Sequence, residues 1–268
     1  MLELMRRYVH GFVNCHDAAV AREIVAEAYT LHMGSDTLVG RDERYVPAVL
    51  HQIAQFPGLC FSIHELITDG AYTALLFSEH GRSARQPRAS AAWRGVSIYR
   101  AERGRLAECW VEQDHYGRRR QLADGTPARV REVALDPWTG HREVSETERK
   151  EAGAAVEAWA CGLTVWPPPG ARVDTGPGED AQARIEVGEA RVNAFVAEGE
   201  RVAFNLTVRG AYRGGLPGHD MLGVPVTTYA GGFATLRDGA VADVDAISNR
   251  VLVQRQLRAH ADGERQKR

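Results

Sequence analysis

GRLAECWVEQDHYGRRRQL, Gly104 to Leu122, is the stretch whose reading decides the fold. Arg103-Gly104 turns the chain, and from there the side chains alternate. Glu108, Trp110, Glu112 and Asp114 share one parity, while Cys109, Val111 and Gln113 share the other. A period of two puts each set on its own face of a strand. At ~3.3 Å per residue, one face then carries a tryptophan and three carboxylates within about 20 Å. Such a face is either open to water at a sheet edge or lines a cavity in which acids act.

A second stretch, Gly239 to Leu257 (GAVADVDAISNRVLVQRQL), lines up with the first without a gap. Leu106-Ala107-Glu108 matches Val241-Ala242-Asp243, and Arg120-Gln121-Leu122 matches Arg255-Gln256-Leu257. Each is preceded by a similar hairpin, VSIYRAERG at 96–104 and GFATLRDG at 232–239. The spacing of about 135 residues is too long for a solenoid and suits a duplicated domain. Glu112 and Asp114 correspond to Ile247 and Asn249, so the second stretch lacks acids at those two places.

A chain of 268 residues has room for two domains, each with its own core. A net charge of −2 gives no broad footprint for nucleic acid or an acidic membrane. Arg118-Arg119-Arg120 is short and reads as a solvated helix end. Cys15, Cys60, Cys109 and Cys161 lie far apart with no CxxC pair, as in reduced cysteines of a cytoplasmic protein. No signal peptide and no ~20-residue apolar run is seen.

Apolar residues at Leu4, Met5, Tyr8, Val9, Phe12 and Val13 predict a first helix, and Asp17 caps a second over 18–28. Tyr29 to His32 is a short extended piece, Met33 to Asp36 turns, and a third helix follows Gly40. The period then changes to strands over 59–68, 71–79 and 91–100, with a polar excursion at 81–89, before the strand of the opening stretch. Three helices and a four-stranded antiparallel meander make an α+β domain. Residues 124–146 read as a linker that Val133, Leu135 and Trp138 pack into a strap. Ser145 and Glu148 form a capping box for a helix to about Cys161. Residues 174–180 are expected to be mobile. Strands over 184–197, 200–209, 226–236 and 240–248 complete the second half.

Taken together, these features resemble two fused copies of the SnoaL-like polyketide cyclase family, within the superfamily of ketosteroid isomerase and nuclear transport factor. In the first copy the resemblance rests on Leu31-His32, GRDERY at 40–45, FPGLCFSIHELITDG at 56–70, RGVSIYR at 94–100 and GRLAECWVEQD ending in RRRQL. In the second it rests on RGAYRGGLPGHDMLGVPVT at 209–227, GGFATLRDGAVAD at 231–243 and VQRQL at 253–257. It implies two tandem cone-shaped α+β barrels, each with helices packed on a curved antiparallel sheet. The expected boundaries are 1–123 for the domain with the active pocket, 124–146 for the linker, 147–258 for an abbreviated second domain, and 259–268 for a disordered tail. The pocket implied lies between helices and sheet, and the loop 81–90 departs from the family pattern.

In the cyclases an acid near the end of the last strand handles protons during aldol ring closure, and Asp114 matches that place. A carboxyl group in an apolar pocket is desolvated, its pKa rises, and it exchanges a proton near neutral pH. Glu112, His32 and His80 are the expected helpers; Trp110, Tyr8, Phe12 and Tyr29 are the expected substrate-binding wall. The plainer alternatives are a surface carboxylate just before Arg118–Arg120 for Asp114, a salt bridge to a nearby arginine for Glu112, and a core position for Trp110. Sequence spacing offers no metal site and no nucleotide cradle. The expectation is a cofactor-free cyclase or isomerase acting on a small hydrophobic carbonyl-containing metabolite. Opening of an epoxide, with ether formation as a variant, and a non-catalytic binding or assembly module are the alternatives. The second copy is expected to be silent and to pair with the first inside the chain, or the chain to form a homodimer.

Overall fold

The computed structural model describes residues 1–86, 89–175 and 181–266. The apolar stripe of the N-terminal segment folds as helix α1 (Leu2–Arg6), which widens into π-helical turns over Arg7–Asn14. Met5, Tyr8, Val9, Phe12 and Val13 are all buried. The Asp17 carboxylate accepts the Ala19 N–H at 2.9 Å and caps α2 (Ala18–Ile24). This helix stops four residues before the expected end. Val25 already belongs to strand β1 (Val25–Met33), which reaches well beyond the predicted four-residue piece. Sheet pairing here overrides a local helical preference.

β2 (Asp36–Val39) folds back on β1, and α3 (Val46–Gln55) follows a π-helical turn at Arg41–Tyr45. Then come β3 (Cys60–Thr68), β4 (Tyr72–Arg82), β5 (Ser90–Glu102) and β6 (Arg105–Gln113). The meander is there, but the sheet has six strands, in the order β2-β1-β6-β5-β4-β3. β1 lies parallel to β6, with Leu31 opposite Cys109 and His32 opposite Trp110. No local pattern announces a pairing between strands some 80 residues apart.

α4 (His115–Asp124) leads into the strap. There Ala134 N–H bonds the Ile63 carbonyl at the β3 edge, and Trp138 packs on His10. Of the three apolar residues expected to pin the strap, Trp138 packs while Val133 and Leu135 are exposed. α5 (Glu146–Cys161) carries the expected capping box of Ser145 and Glu148. A second six-stranded sheet follows, made of β7 (Val165–Trp166), β8 (Arg172–Val173), β9 (Ile185–Glu198), β10 (Arg201–Tyr212), β11 (Pro225–Arg237) and β12 (Ala240–Ser248). Its order is β7-β9-β10-β11-β12-β8. Residues 259–266, expected as part of a disordered tail, are the last turns of helix α6 (Arg250–Gln266). The buried Val251, Val253 and Leu257 seat its first half. Most of the stretch expected to be mobile, 176–180, lies outside the described residues.

The molecule is therefore α+β, two curved sheets with helices on them. β8 runs parallel to β12 as β1 does to β6. One hydrogen-bond motif also recurs at the 135-residue spacing. Gln121 accepts the Ala92 N–H (2.9 Å) and donates to the Ala92 carbonyl (2.8 Å), pinning α4 to β5. Gln256 does the same to Thr227 (2.9 and 2.7 Å), pinning α6 to β11.

Each sheet buries the central part of both faces, while the first half of β9 is largely exposed. Helices cover one face of the first sheet, over a core with Tyr8, Phe12, Tyr29, Leu75, Phe77 and Cys109. In the second sheet α5 lies so close that a Cβ on Gly153 would stand 2.6 Å from the Phe195 ring. The other two faces meet. Ile67, Leu76, Val96 and Ile98 of the first sheet pack with Val196, Ala203, Phe233 and Ile247 of the second. Gly231 makes the approach possible, since a Cβ there would sit 3.1 Å from Val96.

Candidate functional site

The parity of β6 decides which of its side chains reach the space under the helices. Cys109, Val111 and Gln113 line a cavity of about 150 Å³ between the first sheet and α1, α3 and the β1–β2 hairpin. Glu108, Trp110, Glu112 and Asp114 point the other way, toward the second half. The expectation that the acidic face lines the pocket is corrected: Glu112 and Asp114 are buried in the seam between the sheets, Trp110 is half-buried at its margin, and Glu108 is half-buried in a groove with Arg100.

Asp114 caps α4 by accepting the Gly117 N–H (2.8 Å) and pairs with the guanidinium of Arg250 from α6. Arg250, 1% exposed, also reaches Asp174 and lies over the Tyr116 ring at 4.5 Å. Glu112 accepts the Gly34 N–H (2.9 Å) and faces the Asn249 amide at 3.4 Å. Trp110 stacks on His32, whose Nε2 lies 3.0 Å from Glu108. His80 has the same parity, its Nε2 3.1 Å from the Ser62 hydroxyl, and burial lowers its pKa. None of Asp114, Glu112, His32 or His80 touches the cavity under the helices. Of the expected substrate wall, Tyr8 lines that cavity, while Phe12 and Tyr29 are fully buried behind it and Trp110 is in the seam.

The acid that does line the cavity is Glu79 of β4. It is 6% exposed and accepts a hydrogen bond from Gln52 of α3 at 2.6 Å. Burial pushes its pKa up to about 7, against the smaller downward pulls of Gln52, Arg118 and Trp93. Arg118 is no solvated helix end, for its guanidinium lies 4.9 Å over the Trp93 ring. The same cavity holds the Tyr8 and Tyr45 hydroxyls, 2.8 Å apart. Two hydroxyls sharing one hydrogen bond have a second proton free to donate to a third group. Tyr99 tilts against Tyr8 with ring centroids 5.2 Å apart, and burial raises the pKa of all three phenols, keeping them neutral donors. At the cavity's edge Gln113 accepts from Trp93 Nε1 (2.9 Å) and lies 3.1 Å from His115. Burial lowers the His115 pKa to about 3, so that ring is uncharged near neutrality.

Glu79 left a trace in the sequence. It shares parity with Leu75 and Phe77, an acid continuing the apolar face of its strand. Its counterpart in the second half is Val208. Glu79 pairs with Trp93, Trp93 plus 135 is Thr228, and Thr228 pairs with Val208. That valine is fully buried among apolar side chains.

This arrangement can hold a small carbonyl compound by an acid poised to exchange protons, with phenol donors for its oxygen. Comparison with known proteins follows the same half of the chain. Residues 5–109 match the SnoaL-like domain. The SnoaL-like match thus takes in the helical segments over residues 5–55, β1 to β5, the first half of β6 and the cavity lining except Val111 and Gln113. Among solved structures, IdmH of Streptomyces antibioticus, described as a candidate polyketide cyclase, is 17% identical, with a TM-score of 0.40 over 45% of this chain and 96% of that one. A SnoaL-like polyketide cyclase candidate from Jannaschia sp. is 14% identical, with a TM-score of 0.42 over 46% and 90%. A Mycobacterium tuberculosis epoxide hydrolase of the LEH-like kind is 12% identical, with a TM-score of 0.40 over 46% and 90%. No residue role follows from likenesses of this size. No curated protein matches the chain. Among the described residues no three His, Cys, Asp or Glu side chains stand together as metal ligands, and no helix is long and apolar enough to cross a membrane.

Proposed function

We propose that the SnoaL-like half is a cofactor-independent cyclase or isomerase acting on a compact, apolar, carbonyl-containing metabolite. The observation that carries this reading is Glu79, a buried carboxyl with a pKa of about 7 in the cavity that also holds the Tyr8–Tyr45 pair. Near neutral pH such a group is present in both forms, which suits a proton shuttle. The phenols hydrogen-bond the carbonyl oxygen as negative charge grows on it during proton removal from the adjacent carbon. Reprotonation elsewhere gives an isomer; attack of the enolate on a second carbonyl gives a ring.

Size narrows the substrate. A cavity of about 150 Å³ is the size that holds one benzene ring. A single-ring substrate fits this space, whereas a polycyclic polyketide needs the hairpin and α3 to part. Glu79 replaces Asp114 as the proposed acid–base, because Asp114 is committed to Arg250 in the seam. The second half, with Val208 for Glu79, is proposed to be an inactive copy that covers the outer face of the first sheet. The recurrent glutamine bridge and the five-strand order common to both sheets, β3-β4-β5-β6-β1 and β9-β10-β11-β12-β8, support a duplication, with β2 and β7 added at opposite edges.

Exchange of the α-protons of cyclohex-2-enone in D2O, followed by proton NMR, tests the chemistry directly. Wild type is expected to accelerate exchange with a pH profile bending near 7. Glu79→Gln is expected to keep the fold and lose at least ~100-fold of the rate together with the bend. Asp114→Asn, by contrast, is expected to keep that bend. A Glu79 carboxyl titrating near 4 in carbon-detected NMR sinks the reading.

A further inference from the structure

At the end of the seam nearest the β1–β2 turn the lining changes from apolar to polar. There a cleft of about 280 Å³ opens between the two sheets. The first sheet contributes the stacked His32–Trp110 pair, with centroids 5.4 Å and planes 17° apart. The second contributes Asn193, Asn205, Thr207 and Tyr229. Asn205 and Thr207 are only 3% and 5% exposed, although they alternate with side chains that fill the second core.

Buried polar groups weaken a sheet-to-sheet contact unless something bonds them. Part of that bonding is internal. Asn193 Nδ2 donates to Asn205 Oδ1 (2.8 Å) and to Thr207 Oγ1 (3.0 Å), so three side chains hold one another in place. Among the described residues, the Asn205 amide nitrogen and the Tyr229 hydroxyl make no hydrogen bond to protein, and neither is sealed from solvent, so both are within reach of water or a ligand in the cleft.

We propose that this cleft binds a small neutral polyhydroxylated ring, the size of one monosaccharide or cyclitol, between the two halves of the chain. Aromatic side chains pack on the C–H face of such a ring, and amides and hydroxyls match its hydroxyl groups without needing charge. An apolar ligand would strip water from four hydrogen-bonding side chains and return nothing. An anion would meet the Glu112 carboxyl as well as the one arginine of the lining, Arg191, which already donates to Asn193 at 3.1 Å. The volume is roughly twice the ~150 Å³ that takes a bare benzene ring, leaving space for hydroxyls. The cleft lies on the opposite face of β6 from the Glu79 cavity, so it stands or falls apart from the proposed enzyme activity.

Saturation-transfer NMR on the full chain, with myo-inositol, D-glucose and D-galactose as probes, tests it. At least one probe is expected to show transfer to its ring C–H protons, and Asn193→Ala is expected to weaken binding about tenfold, through loss of the half-buried side chain that holds Asn205 and Thr207 in place. Tyr229→Phe removes one half-exposed hydroxyl without changing packing, and is expected to weaken binding in the same direction; it serves if Asn193→Ala does not fold. No transfer from any of the three probes overturns the proposal. So does transfer that the folded variants leave unchanged.

Discussion

Asp114 and Glu112 are two acids, two residues apart on one face, and the structure uses them differently. Asp114 holds Arg250, which is buried at the junction of β6, α4 and α6. Removing one partner of a buried pair costs about 3–5 kcal/mol when the charge is left uncompensated, and Asp174 at 3.7 Å makes that the upper bound here. Asp114→Ala is therefore expected to lower stability by that order in urea unfolding, with the m-value showing whether the seam has opened. Glu112 is 2% exposed, and burial pushes its pKa up to about 8 from 4.5, beyond what Gly34 and Asn249 recover. The folded chain holds that proton more tightly than the unfolded chain. The stability it lends is complete below about 4.5 and drains away as pH rises through about 8. Glu112→Gln, which stays neutral, is expected to raise the melting temperature over wild type at pH 9 and to change it little at pH 4. Equal shifts at both pH values would mean that Glu112 titrates as a solvated acid.

At the scale of the element, each sheet depends on a helix tied to it by one glutamine. Gln121 is 4% exposed and serves three backbone groups, the N–H and carbonyl of Ala92 and the N–H of Ala128 (2.8 Å). A buried backbone group left without a partner costs about 1–3 kcal/mol. Gln121→Ala is expected to destabilise by at least that much and to speed amide exchange at Ala92 and Ala128 selectively. Uniform acceleration across β5 would point instead to global unfolding. The meander strands β3 to β6 and β9 to β12 were legible, because alternation and turn glycines are local signals, whereas β2, β7, β8 and most of β1 were not. The opening alternation of β6 was also real, but a period of two separates faces without saying which is inside. With helices on one side and a second sheet on the other, both faces are buried. The polar face then looks like a site lining, and Glu79, a single acid on an apolar strand face, is easily passed over. The parallel β1–β6 pairing had no local signal at all, and it is this pairing that aims His32 into the seam.

Across the whole molecule, two sheets bury the faces that a single helix-backed sheet would leave bare. The centre of that contact is apolar, with Leu76, Val96, Ile98, Phe233 and Ile247, and its margins carry charge pairs such as Arg201–Glu65 and Arg149–Asp69. Glu198 of β9 adds a cross-link by accepting the Thr68 N–H at 3.0 Å, while His141 of the strap lies 2.9 Å from the same carboxylate. An exposed apolar sheet face of this extent promotes association. The full chain satisfies its own face and is expected to sediment as a single chain. Residues 1–145 expressed alone keep the Glu79 cavity but lose the cover, and are expected to dimerise or aggregate through the bared face. Adding residues 146–268 in trans is expected to restore a one-to-one complex in analytical ultracentrifugation. A monodisperse, soluble monomer of residues 1–145 would show that the seam is dispensable, and the second half would then need a purpose other than covering the first.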